Sequence, residues 1–324
     1  MRYLDFFPSA PRVSALCLGT VSFGAEISQD KAFAQMDFFF ERGGNFFDTA
    51  RVYADWYPGG HGASEKTLGA WIKERRRRDR VIVSTKGAHP DLKTMHTPRM
   101  DYKDLRFDLE ESLAALGIDC IDIYFLHRDD VSKPVEEILE NLESFRKEGK
   151  IRYYGCSNWT LARMKEAEEI ASRRGFPGFS CDQIRFGLAD LNAGGISDDT
   201  MVLMDKEIFS WHEKTRKPVM AYTSSCNGYF SKKLKGQPVP EAHEAVYGNV
   251  SNKKILEKLA VWEKACNVSA AAMASAYVTA QAFPAVAVSS FSSLEQLDEL
   301  IRAADFDFPG DKLTEIREIK SFVV

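Results

Sequence analysis

Eight short apolar runs, each followed by a longer amphipathic stretch, constrain this chain more than any other feature. The runs fall at residues 15–18, 45–48, 81–85, 121–126, 151–156, 181–184, 218–222 and 285–289. Each has the length of a buried strand bounded by polar or turn-forming residues. Helical stretches follow at 29–42, 64–77, 102–116, 135–148, 161–174, 198–214, 255–265, 270–282 and 294–303. In the first of these Phe33, Met36 and Phe40 recur at helical spacing, and Ser28 stands where an N-cap is expected. Strand then helix, repeated eight times, predicts an α/β architecture closed into a (β/α)8 TIM barrel with extra helices. Barrels of this kind reach the present length of 324 residues as one unit, so residues 1–324 are expected to form a single domain. Residues 1–12 precede the first strand and are expected to form a short N-terminal plug under the barrel. Residues 228–249, rich in Gly, Pro and Lys and without clear periodicity, are expected to form a long loop.

Composition narrows the partners. With 44% hydrophobic and 28% charged residues the chain has ordinary globular composition. Its net charge of −4 gives no reason to expect nucleic acid or an anionic membrane surface. No run approaches the ~20 apolar residues of a membrane-spanning helix. The first residues lack the apolar core of a secretory signal. Six cysteines are widely spaced, without a CxxC pair. Cys17, Cys156 and Cys181 fall in or beside apolar runs, where core packing is expected, and a reducing cytoplasm is the expected setting. The basic run Arg75-Arg76-Arg77-Arg78 is expected at a helix end, where cations complement the macrodipole.

In a barrel of this type the site is built from the loops at the C-terminal ends of the strands. The second strand ends in Asp48, with Tyr53 in its loop, the third in Lys86 and the fourth in His127. Ser157 and Asn158 follow the fifth strand, and Gln183 and Phe186 lie at the sixth. Taken singly, each has a plain structural explanation, such as a loop cap or a satisfied core histidine. Together at consecutive strand ends they suggest chemistry. A free phenol has a pKa of about 10 and is a poor acid at neutral pH. A nearby ammonium lowers that value, and an acid keeps the ammonium charged and fixed. An imidazole beside them orients a carbonyl oxygen, so the set suits proton donation to a carbonyl.

At these residues the sequence resembles the aldo-keto reductase superfamily. The resemblance covers nearly the whole chain. It is carried by Leu16-Cys17-Leu18-Gly19-Thr20, Phe47-Asp48-Thr49-Ala50 with Tyr53, and Gly62-Ala63-Ser64-Glu65 with Leu68-Gly69. Ser84-Thr85-Lys86, Asp122-Ile123-Tyr124-Phe125-Leu126-His127 and Gly155-Cys156-Ser157-Asn158-Trp159 extend it. The resemblance implies a metal-free reductase of aldehydes or ketones using NADP(H), with NAD(H) as the alternative. It implies Tyr53 as general acid, Lys86 and Asp48 as its tuning pair, and His127 as the group that orients the carbonyl. Ser157, Asn158 and Gln183 would hold the nicotinamide carboxamide, and Phe186 would stack on its ring. Gly19, Thr20 and Asp48 would lie along the cofactor. Tyr222, Thr223, Ser225 and Asn227 would face the pyrophosphate, and Ser290, Ser292, Gln296 and Glu299 the adenosine end.

Two departures from the family pattern bear on specificity. Segment 289–300 offers serines and Gln296 but no Arg or Lys for a 2′-phosphate. Lys232, Lys233 and Lys235 could supply that charge from the long loop. Val21 stands where many members carry an aromatic, while Arg51, Asp55, Trp56, Arg128, Asp129, Trp159 and Arg185 offer polar and aromatic contacts. Arg51, Trp56, Arg128 and Trp159 suggest a small-molecule, sugar-like carbonyl substrate. A cofactor-bound sensor with little turnover is the competing expectation. A metal-dependent isomerase would need clustered acids and histidines, and only Asp48 and His127 qualify.

Overall fold

A computed structural model describes residues 1–7, 11–302 and 304–322. Eight strands run parallel and close into a barrel. They are β3 (Leu16–Gly19), β4 (Phe46–Asp48), β5 (Ile82–Gly87), β6 (Ile121–Leu126), β7 (Ile151–Ser157), β8 (Asp182–Arg185), β9 (Val219–Tyr222) and β10 (Ala285–Ser289). Each pairs with the next in sequence, and β10 closes on β3 through Val288 opposite Cys17. The expected (β/α)8 barrel is therefore present, with its strands within a residue or two of the expected bounds. Period-two alternation explains its two cores. Phe46, Ile82, Ile123, Phe125, Met220 and Val286 fill the barrel interior. Phe47, Val83, Tyr124, Leu126 and Ile184 point outward and pack under the helices.

The N-terminus closes the barrel floor. Strands β1 (Tyr3–Leu4) and β2 (Val13–Ser14) form an antiparallel pair, and Phe6 and Phe7 enter the interior cluster. Of the expected 1–12 plug, residues 8–10 lie outside the described residues. Cys17, Cys156, Cys181 and Cys226 are buried thiols in apolar surroundings, and no disulfide forms among the described cysteines.

Helices α1 (Gln29–Glu41), α2 (Ala63–Arg75), α3 (Tyr102–Leu116), α4 (Val135–Lys147) and α5 (Leu161–Arg174) lie where expected. Ser28 precedes α1 but its side chain makes no capping bond. The expected helix 198–214 is shorter. Asp198 instead accepts from the backbone and hydroxyl of Thr200, a local turn that competes with helix. Asp205 then caps α6 (Lys206–Thr215) through the Ile208 amide. The basic run is also structural: Arg75 pairs with Asp37, Arg78 with Asp122, and Arg77 lies over Phe40.

Residues 228–249 are not one loop. They hold α7 (Tyr229–Leu234) and α8 (Glu241–Tyr247), whose Tyr229, Phe230, Val246 and Tyr247 are buried. Helix α9 (Val250–Cys266) begins five residues earlier than expected, capped by Asn249 through the Asn252 amide. Helix α10 (Ala270–Thr279) starts where expected but ends three residues before the expected 282, and α11 (Leu294–Arg302) agrees with expectation, although Ala303 lies outside the described residues. A further helix, α12 (Gly310–Ile319), packs on α9 through Lys258–Glu315. No helix among the described residues is long and apolar enough to cross a membrane.

Candidate active site

The strand ends bring Asp48, Tyr53, Lys86 and His127 together. Lys86 Nζ donates to Asp48 Oδ2 at 2.7 Å and to the Thr49 carbonyl at 2.7 Å. It lies 4.6 Å from the centre of the Tyr53 ring, within hydrogen-bonding reach of the phenol. Asp48 Oδ1 also accepts from Ser84 Oγ at 2.7 Å and Gln183 Nε2 at 2.9 Å. Tyr53 and His127 meet edge to face with ring centres 5.9 Å apart. The lysine and the aspartate are nearly sealed from solvent, at 1% and 2% exposure. A buried ion pair holds only when hydrogen bonds satisfy the remaining lone pairs and protons, and here they do so around Asp48.

Electrostatics refine the sequence expectation. Burial pulls the Lys86 ammonium down, but Asp48 and Tyr53 more than offset it, so its pKa is raised. Burial pushes the Tyr53 phenol up, and Lys86 recovers only part of that rise. The expected net lowering by Lys86 therefore does not hold: desolvation wins over the single cation. Burial, His89 and Arg128 hold the His127 imidazole well below its usual range, so the ring is neutral.

A cleft of about 990 Å³ runs from Asp48 and Tyr53 out to the start of α11. Gly19, Val21, Tyr222, Thr223, Ser225, Asn227, Ser290, Ser292, Gln296 and Glu299 line it. Thr20 does not. It is fully buried, and its hydroxyl joins Ser64 and the Asp48 carbonyl under the strand end. Gly19 matters by its lack of a side chain, because a Cβ there would come within 2.7 Å of Ser290 Oγ. Ser157, Asn158 and Gln183 form a buried polar floor. Asn158 donates to the His127 carbonyl at 3.0 Å and accepts from Tyr222 OH at 3.2 Å.

Several candidates lie elsewhere. Phe186 packs outside the barrel with Phe209, Tyr277 and Phe283, because it follows β8 in outward phase. Tyr222, by contrast, lines the cleft, as do Phe23, Tyr53 and Phe291. Trp159 is wholly buried against Phe179 and does not reach the cleft. Arg51 pairs with Glu111 and Asp108, Asp129 with Arg163, and Arg185 with Tyr247. Trp56 is 47% exposed and does not line the cleft. Arg128 is clamped by Asp198 and Thr200 beside His127. Lys233 is tied to Glu244, whereas Lys232 and Lys235 line the cleft.

Sequence reasoning passed over Lys31, which also lines the cleft. The first turn of every helix after a barrel strand sits near the catalytic face. Lys31 is in the first turn of α1, so that position was a usable signal.

Behind the site Glu65 is buried and accepts from Thr85 Oγ1 at 2.5 Å. Burial, opposed by its hydroxyl donors, raises its pKa from 4.5 to about 7. Folded Glu65 thus keeps a proton that the unfolded chain has lost. The stability it contributes is full below pH 4.5 and falls as pH climbs through about 7. Substitution Glu65→Gln is expected to raise the urea midpoint relative to wild type at pH 8 more than at pH 5. An equal change at both values would count against this titration.

The fold and site together define a closed parallel (β/α)8 barrel with a buried Lys–Asp pair beside a phenol at its C-terminal mouth. The chain belongs to the aldo/keto reductase family, whose description matches residues 15–321. It is 37% identical over 171 residues to norsolorinic acid reductase stcV of Emericella nidulans, covering 48% of this chain and 43% of that protein. It is 32% identical over 198 residues to the uncharacterized oxidoreductase YrpG of Bacillus subtilis, covering 60% of each. The match to norsolorinic acid reductase of Aspergillus flavus spans 97% of this chain and 79% of that one, at 29% identity. The matched stretch is thus under two thirds of the length of the first two. The fold is also that of an aldo-keto reductase from Klebsiella pneumoniae solved with NADPH, with TM-score 0.71 and 23% identity over 98% of this chain and 94% of that one.

Proposed function

We propose that the protein is an NAD(P)H-dependent reductase of aldehydes or ketones, with Tyr53 as its proton donor. The observation that carries this reading is Lys86 held between Asp48 and Tyr53, both of which line the cleft. A bound nicotinamide would supply hydride to the carbonyl carbon. Tyr53 gives its proton to the carbonyl oxygen, and the product is the alcohol. Lys86 stabilises the phenolate left behind, and Asp48 keeps the ammonium in place. Neutral His127 donates to the carbonyl oxygen and fixes its direction. The reductases among its relatives and the NADPH complex among its fold neighbours support the reading.

The cleft fits a dinucleotide. It holds about 990 Å³ and has both polar and apolar walls, with Tyr222, Asp48 and Tyr53 among its lining residues. Tyr222, rather than Phe186, would pack against the nicotinamide. Gly19, Ser290 and Ser292 leave room for the backbone to approach the phosphates. No cation lies in segment 289–300, but Lys31, Lys232 and Lys235 line the same cleft. NADPH is expected to bind with a discrimination over NADH below ~100-fold, because solvated lysines replace a fixed guanidinium fork. Fluorescence titration of both reduced cofactors at fixed salt measures it. Lys31→Ala should weaken NADPH by up to about tenfold and leave NADH nearly unchanged. Equal weakening of both cofactors would remove Lys31 from the 2′-phosphate.

A further inference from the structure

A second histidine stands against His127. His89 lies in the loop after β5, three residues beyond Lys86, and is 9% exposed. Its ring centre is 4.7 Å from that of His127, with the planes 69° apart. The loop is bent to put it there. Ala88, just before it, has φ +60°, a left-handed conformation that is costly for a residue with a Cβ. The bend is held by the Ala88 amide, which donates to the buried carboxylate of Asp108 at 2.9 Å. Asp108 is in turn fixed by Arg99 and Arg51. Stored backbone strain that its surroundings over-determine is a feature of functional sites.

The tautomer of His89 follows from its contacts. Nδ1 lies 2.7 Å from the Pro90 carbonyl, which can only accept. Nδ1 therefore carries the proton, and in the neutral ring Nε2 presents a lone pair. Burial and the adjacent Arg128 lower the His89 pKa, which keeps the ring neutral. Nε2 makes no hydrogen bond to the described residues and is reached by solvent. Two neutral imidazoles thus stand side by side, with His127 against the Tyr53 ring. His127 supplies a donor in the proposed reaction, and His89 supplies an acceptor.

An acceptor beside the group that holds the carbonyl oxygen matches a donor on the neighbouring carbon. We propose that His89 is a specificity-determining residue that accepts a hydrogen bond from a hydroxyl adjacent to the reacting carbonyl. The preferred substrates are then α-hydroxy aldehydes and α-hydroxy ketones. This rests on the reductase reading above and adds the substrate class to it. It also gives the sugar-like expectation a different basis, since Arg51 and Trp159 do not reach the site. A site that pairs with a hydroxyl discriminates against the analogue lacking it, because the acceptor is then left desolvated and unpaired.

The test uses matched pairs: 2-hydroxypropanal against propanal, and hydroxyacetone against acetone. Wild type is expected to favour the hydroxylated member of each pair by about tenfold or more in kcat/KM. His89→Phe keeps the ring and removes the acceptor. It should lose most of that preference, with the deoxy substrates changed by less than about threefold. His89→Gln restores an acceptor and should recover part of the preference. Cofactor titration of each variant shows that the fold is retained, and if His89→Phe binds no cofactor the comparison passes to His89→Gln and His89→Leu. Turnover of the deoxy compounds without any wild-type preference would overturn the His89 assignment and leave the reductase reading standing. An equal fall for both members of a pair in the variants would do the same. Reduction of none of the four by cofactor-bound wild type would overturn both.

Discussion

Replacing Tyr53 with Phe is expected to lower kcat for carbonyl reduction by roughly 10²-fold or more while NADPH affinity stays within about twofold. The substitution removes one hydroxyl from the cleft end and leaves the ring between Lys86 and His127. The remaining residues still bind and orient substrate, but no group of comparable position gives a proton to the oxygen. The pH profile adds a second check. Burial raises the phenol above its usual 10.0 despite Lys86, so Tyr53 stays protonated across the neutral range. His127 is held neutral well below 6.5, so it does not gain a proton there. Wild-type kcat should therefore be flat from about pH 6 to 9. Steady-state kinetics with direct cofactor titration separates the loss of chemistry from the loss of binding. Near-normal turnover in the variant would refute the assignment.

Replacing Lys86 with Met is expected to remove activity to a similar degree and to destabilise the fold as well. Asp48 would then be a carboxylate at 2% exposure with Ser84 and Gln183 as its remaining donors. Breaking one side of a buried pair costs about 3–5 kcal/mol. Pairing it with Asp48→Asn should recover most of that stability, because the stranded charge is gone, yet recover no turnover. The raised Lys86 pKa sets the pH window. Its stabilising contribution is full below 10.5 and is lost only as pH rises through the higher folded value. The gap in urea midpoint between wild type and Lys86→Met should thus be constant between pH 6 and 9. A double variant no more stable than Lys86→Met would show that the charge of Asp48 is not the source of the loss.

The barrel was legible because its strands are buried on both faces and its helices on one. That contrast writes short apolar runs and amphipathic stretches into the sequence in strict alternation. Asp48, Lys86 and His127 were legible for a related reason. Each is a polar residue that ends an apolar run, where only the mouth of a barrel can accommodate it. What failed was phase and length. Phe186 and Tyr222 both flank strand ends, but only the pleat decides which ring faces the cleft. Helices α7 and α8 are too short for a periodic signal, and their aromatic anchors read as loop residues. The turn at Asp198 rests on a side-chain bond to Thr200, which propensity does not reveal. Lys31 and His89 are single residues whose importance depends on a neighbour far away in sequence. The direction of the Tyr53 shift was missed because burial, which opposes Lys86, is not visible before the fold.

The most direct test of the account is hydride transfer itself. Wild-type protein loaded with NADPH carrying deuterium on the reactive face is mixed with an excess of 2-hydroxypropanal in one turnover. The account predicts one deuterium per bound cofactor on the carbinol carbon of the alcohol, and none in the same time with Tyr53→Phe at equal cofactor occupancy. Wild-type protein that holds NADPH but passes no deuterium to this or any other aldehyde or ketone would contradict it, and would make the chain a cofactor-bound sensor.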